Sequence, residues 1–184
     1  MGTYYLDIET SGLDGGSSKI ITVQYQALDR NNGTPAGPLV VLKEWEHGEQ
    51  EILRRFVENT GVSSDSVFDF VPVGYNLGFE HRFLSRRSEI HGLPTINIRD
   101  RPMMDLHTTG VIMNGCEFKG SGLDRMTGKA QSGSMVSRWY ADGNYGKITE
   151  YVEDEAREFV RFFAWLCKEL PILHKRFASA ITEP

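Results

Sequence analysis

The chain has 184 residues, 40% of them hydrophobic and 24% charged, with 20 Lys and Arg against 25 Asp and Glu. That length and balance suit a folded chain with its own core, and residues 1–184 are read as a single domain. A formal net charge of −5 excludes a protein that coats nucleic acid through a broad basic surface, and no apolar run reaches the ~20 residues of a membrane helix.

In chain order, residues 4–8 predict a first strand, residues 19–28 a second with Ile21, Val23, Tyr25 and Ala27 alternating, and residues 39–44 a third. The turn-forming Asp29-Arg30-Asn31-Asn32-Gly33 between the last two predicts a meander. From 50 to 59, Ile52, Leu53, Phe56 and Val57 recur at helical spacing. Residues 67–75 predict a fourth strand whose Pro72 needs a position where one amide goes unpaired. Residues 77–90 predict a helix, and 103–105 a short fifth strand. Residues 108–146 are looser and rich in Gly and Ser, with short helices expected at 123–126 and 135–140. A long amphipathic helix is expected over 147–170, with Ile148, Tyr151, Val152, Phe159, Phe162, Phe163 and Leu166 as its stripe and Pro171 as its stop. The order implies an α/β layer structure around a mixed sheet. Cys116 and Cys167 have no metal-ligand spacing and read as reduced thiols. With a strand bearing an acid at position 7 in place of a signal peptide, this predicts a cytoplasmic protein.

Three clusters could carry chemistry. Asp7 and Glu9 lie one residue apart on the first strand, so their side chains point the same way. Like charges held side by side repel, and a hard divalent cation such as Mg²⁺ or Mn²⁺ relieves that cost. Gly74-Tyr75-Asn76-Leu77-Gly78-Phe79-Glu80 spans a strand-to-helix junction. Tyr151 and Glu155 are four apart on the long helix and share a face. Each has a plainer reading: a solvated strand end, a turn asparagine with a packing phenylalanine, a core tyrosine beside a solvated acidic run. Taken jointly, three ordered motifs on three elements favour one site.

In these motifs the chain resembles the DEDD superfamily of 3′-5′ exonucleases, which have a ribonuclease H-like fold. The family's Asp-x-Glu is matched by Asp7 and Glu9, its Asn-x-x-Phe-Asp by Asn76, Phe79 and Glu80, and the tyrosine branch's Tyr-x-x-x-Asp by Tyr151 and Glu155. Both expected aspartates are glutamates here. The branch most similar includes the proofreading domains of family B DNA polymerases. The resemblance implies a central mixed five-stranded sheet flanked by helices, two divalent cations held by Asp7, Glu9, Glu80 and Glu155, and hydrolysis at the 3′ end of single-stranded DNA or RNA. It implies that the cations sit ~4 Å apart on the scissile phosphate, that Tyr151 orients the attacking water, that Thr10 and Leu13 receive the terminal nucleotide, and that Asn76 and Phe79 line the strand path. Asp154 is an alternative to Glu155, about 100° away around the helix; Glu155 keeps the tyrosine spacing. Lys119, in a Gly-rich loop with Arg125 and Lys129 nearby, is a candidate phosphate contact, and His81, His107 and Asp105 are candidates for a supporting role. Two other readings stay open: a nucleic-acid or protein-binding domain with a weakened metal site, and a ribonuclease H-type endonuclease.

Overall fold

The computed structural model describes residues 2–128 and 133–182. Five strands, β1 (Thr3–Thr10), β2 (Ile20–Leu28), β3 (Val40–Lys43), β4 (Val71–Gly74) and β5 (Met104–Asp105), form one sheet in the order β3-β2-β1-β4-β5. β1, β2 and β3 make the expected antiparallel meander; β4 is parallel to β1, and β5 to β4. The mixed five-stranded α/β sheet expected from the sequence is therefore present.

Helices cover both faces. On one side α2 (Glu49–Thr60) and α3 (Leu77–Ile90) pack Ile52, Leu53, Phe56, Phe83 and Leu84 against Leu6, Ile8 and Val23. On the other, α7 (Tyr145–Thr182) lays Phe159, Phe162, Phe163 and Leu166 against Tyr5, Leu28 and Val73. The short helices are α1 (Glu44–His47), α4 (Leu106–Met113), α5 (Leu123–Thr127) and α6 (Val136–Ala141).

Four expectations need correction. The fourth strand is confined to Val71–Gly74, because residues 67–70 are taken up by turns and the Phe70 ring is buried between Tyr4 and Phe56. Pro72 fits there without losing a ladder bond, since β5 pairs with β4 only from Val73 onward. The third strand stops at Lys43, where Glu44 starts α1. Residues 106–113 form α4 rather than loose chain, capped by the Asp105 carboxylate, which accepts from the His107 amide at 3.0 Å. Pro171 does not stop α7, which continues to Thr182. A proline removes a single amide donor, and the helix formers on both sides keep the remaining ladder.

Gly74 closes β4 because nothing larger fits. A Cβ there would lie 2.5 Å from the Leu77 side chain and 2.8 Å from the Leu6 carbonyl. This close approach brings the start of α3 against the middle of β1.

Candidate active site

The site is assembled by a match of repeats between β1 and α7. Tyr5, Asp7 and Glu9 are alternate residues of β1 facing α7, and Phe159, Glu155 and Tyr151 descend α7 at four-residue intervals. Two strand residues advance about 6.7 Å and four helix residues about 6.0 Å, so the two series stay nearly in step. Packing fixes one end: the rings of Tyr5 and Phe159 meet with centroids 4.8 Å apart. The next pair up is Asp7 with Glu155, and the last Glu9 with Tyr151.

The result is an acidic cluster. Asp7, Glu9 and Glu155, each half-buried, offer carboxylate oxygens that all lie within 4.8 Å of one another. The buried Tyr151 hydroxyl donates to Glu155, and burial, Glu155 and Glu9 together push its pKa far above the ordinary phenol value. Tyr5 responds in the same way, to burial first and then to Asp7, Glu155 and Glu9. Beside the acids is a cavity of about 90 Å³ lined by Tyr5, Asp7, Tyr75, Leu123, Glu155 and Phe159.

Glu80 stands next to this trio rather than inside it. It projects from the first turn of α3, is only 3% exposed, and its Oε2 is buried with no hydrogen-bond partner among the described residues. Burial, and then the neighbouring Asp7, raise its carboxyl well above the usual value of 4.5. Asp154 points away, exposed and paired with Arg157 at 2.7 Å, so Glu155 is the acid that α7 turns toward β1.

Sequence reasoning missed the support from β2. Gln24 lies opposite Asp7 in the β1–β2 register and donates from Nε2 to Asp7 Oδ2 at 2.9 Å. Thr22 lies opposite Glu9. Both are fully buried, and among the described residues Gln24 Oε1 and Thr22 Oγ1 have no hydrogen-bond partner. The signal was available: polar Thr22, Gln24 and Gln26 alternate with the apolar residues of β2, which put a second face on that strand. Just past Glu9 the register shifts, Glu9 pairing with Thr22 but Thr10 with Ile20, an irregularity of the kind that re-aims side chains next to active sites. Gly133 also reaches the centre, since a Cβ there would be 3.2 Å from the Tyr151 hydroxyl and 3.7 Å from Glu9 Oε2.

The remaining candidates lie outside the clustered acids. Thr10 donates to the Gly12 carbonyl at 2.7 Å and holds a loop whose Leu13 is 89% exposed. Asn76 takes a left-handed conformation (φ 67°) at the head of α3, and its amide donates to Asp105 at 2.8 Å. Phe79 is half-buried with its ring 4.8 Å from that of Phe83, which makes it at least partly a packing residue. Lys119 is exposed, on the loop whose Ser121 carbonyl accepts the Tyr75 hydroxyl. Arg125 is exposed on α5, and Lys129 lies outside the described residues. Asp105 is engaged by the amides of Asn76 and His107, and His107 meets Ser121 Oγ at 3.1 Å. His81, its Nδ1 buried without a partner among the described residues, has its pKa lowered by burial and then by Arg99.

Oxygen-only donors in a tight anionic group, next to a buried and unpartnered carboxylate oxygen, fit a hard divalent cation. Asp7, Glu9 and Glu155 are the residues that could hold one, and Glu80 feels the charge of Asp7 beside them.

No family sequence profile matches the chain, and no curated protein does. Solved structures do. An exonuclease I crystal structure with an inhibitor aligns with TM-score 0.58 at 13% identity, over 97% of this chain and 43% of that one. An ExoI/SSB-Ct complex aligns with the same values. An exonuclease I structure described as suggesting how processivity is achieved aligns with TM-score 0.51 at 15% identity, over 76% of this chain and 39% of that one. None of these three is a polymerase proofreading domain. The chain spans about two-fifths of the length of these exonuclease I chains. At such identities the likeness is one of fold, and it is the ribonuclease H-like fold expected from the sequence. Among the described residues, no helix is long and apolar enough to cross a membrane.

Proposed function

We propose that the chain is a metal-dependent 3′-5′ exonuclease of the DEDD type, acting on single-stranded ends of DNA or RNA. One observation carries the reading: acids from residues 7, 9 and 155, far apart in sequence, meet within 4.8 Å beneath a tyrosine hydroxyl. The exonuclease I fold around them supports it.

Mg²⁺ or Mn²⁺ bound there would stabilise charge on the phosphate and lower the pKa of the attacking water. Asp7, Glu9 and Glu155 hold the cation side, with Asp7 steadied by Gln24. Tyr151 keeps its proton, because every charge around it is negative and burial penalises a phenolate. It is therefore a hydrogen-bond donor that orients, and not a base that abstracts. In this reading Thr10 and Leu13 would receive the terminal nucleotide, and Asn76 and Phe79 would line the path of the strand.

The test is an end-labelled oligonucleotide with Mn²⁺ or Mg²⁺, beside Asp7→Asn. A ladder growing from the 3′ end that disappears in the variant is the expected result; equal cutting by both proteins overturns the proposal. The burial and raised pKa of Glu80 favour a second reading, a nucleic-acid-binding domain whose metal site is weakened. Calorimetric titration separates the two, since absence of heat at millimolar Mn²⁺ selects the second.

A further inference from the structure

On the outer face of α3 the charge logic of the active site recurs with the opposite sign. A Cβ placed on Gly78 would be 3.5 Å from Arg99 Nη2 and 3.8 Å from Arg82 Nη1, so two guanidinium groups flank one open point. Neither forms an ion pair or side-chain hydrogen bond among the described residues. Several other arginines are consumed: Arg54 and Arg55 by Glu51, Arg86 by Glu89, Arg87 by Glu49, Arg157 by Asp154. In a chain of net charge −5, an adjacent unneutralised pair is conspicuous. Asp100, next in sequence to Arg99, accepts instead from Asn97 Nδ2 at 2.6 Å, and the acid nearest Arg82 in sequence, Glu80, is buried on another face of α3.

The pair is also held in place. Arg82 lies over the Phe79 ring, 5.9 Å from its centroid, and Phe79 is wedged against Phe83. Gly78 sits in ordinary helical backbone, and with no side chain of its own it leaves the space between the two guanidinium groups open. Residues 78 and 82 share a face, whereas Glu80 points about 200° away toward the acids. The pair and Glu80 therefore occupy different faces of α3, the pair exposed and Glu80 buried.

We infer that Arg82 and Arg99 form a phosphate clamp for the backbone of a single strand, upstream of the terminal nucleotide. Forked donors facing an open point suit a phosphodiester, and the adjacent aromatic ring offers a base a stacking face. The clamp rests on the exonuclease reading for the direction of the strand, but its binding can be measured without catalysis. It acts on affinity and leaves the chemical step alone.

The test is fluorescence anisotropy of a labelled single-stranded 12-mer in EDTA across a salt series, with wild type, Arg82→Ala/Arg99→Ala and Arg82→Lys/Arg99→Lys. Each lost phosphate contact removes about 0.7 from the slope of log K against log salt, so the alanine pair flattens it by about 1.4 and weakens binding about 10-fold. The lysine pair, keeping both charges, restores most of the slope. An unchanged slope in the alanine pair, or a wild type that binds poly-glutamate and not the oligonucleotide, overturns the clamp. Cleavage by wild type with an unchanged slope sinks the clamp alone. A flattened slope without any cleavage upholds the clamp and sinks the nuclease.

Discussion

Two buried glutamates, one on α2 against the end of α3 and one on the first turn of α3, meet opposite fates. Glu49, at the start of α2, receives the Ile20 amide at 2.7 Å, a two-pronged contact from Arg87, and His91 Nε2 at 2.9 Å. Burial alone would raise its carboxyl, but the bonds from Arg87, His91 and Ile20 outweigh it and hold the pKa below the usual 4.5. Glu80 is just as buried, has a bare Oε2 and faces Asp7, and its pKa goes up. The same side chain is a tie between α2, α3 and β2 in one place, and in the other a group whose charge the surrounding chain leaves uncompensated. A polar network completed from within the protein is structural; one left incomplete beside other acids calls for a cation from outside.

The sharpest way to break this contrast is Asp7→Asn. It should lower nuclease activity by more than the roughly 10- to 100-fold typical of losing a partner of a metal ligand, with the fold intact by circular dichroism. Glu49→Ala should do the reverse. Leaving Arg87 without its partner should cost about 3–5 kcal/mol, read as a fall in the denaturant midpoint, while cleavage per folded molecule is unchanged. The wild-type tie is also pH-dependent. Because Glu49 ionises more readily folded than unfolded, its contribution is complete above about pH 4.5 and is lost as pH falls through the lower folded value. Glu49→Ala should therefore show a shallower acid unfolding limb.

Saturating Mn²⁺ should stabilise the wild type by about 2.7 kcal/mol at 100-fold excess over Kd, and Asp7→Asn should lose most of that gain in thermal melts. The smallest effect belongs to Glu80→Gln. Folded Glu80 holds its proton more tightly than the unfolded chain does, so metal-free stability declines as pH rises above about 4.5. The amide removes that penalty, and metal-free Tm at pH 8 should rise by about 2–4 °C, or about 1 kcal/mol, while activity falls. A drop in Tm would mean that Glu80 has partners equivalent to those of Glu49.

Much of this could be read before any fold was known, where a local period carried the information. Alternation put Asp7 and Glu9 on one side of β1, and the four-residue step put Tyr151 and Glu155 on one side of α7. Elements without a contrasting period were missed. Leu106–Met113 is apolar or small almost throughout, so α4 has no stripe to betray it, and only the Asp105 cap marks its start. Nothing local to Gln24 ties it to Asp7, and only the β1–β2 register shows the two opposite each other.

By itself, then, the sequence determined which side chains share a face of which element, because strand and helix periods are set by backbone sterics within a few residues. Tertiary structure alone decided which faces meet: Tyr5 against Phe159 sets the alignment that carries Asp7 to Glu155, while Gly74 lets α3 press Glu80 into the same region. It also decided that one buried glutamate finds an arginine and the other does not. Those outcomes depend on contacts across tens of residues, whose geometry no local spacing contains.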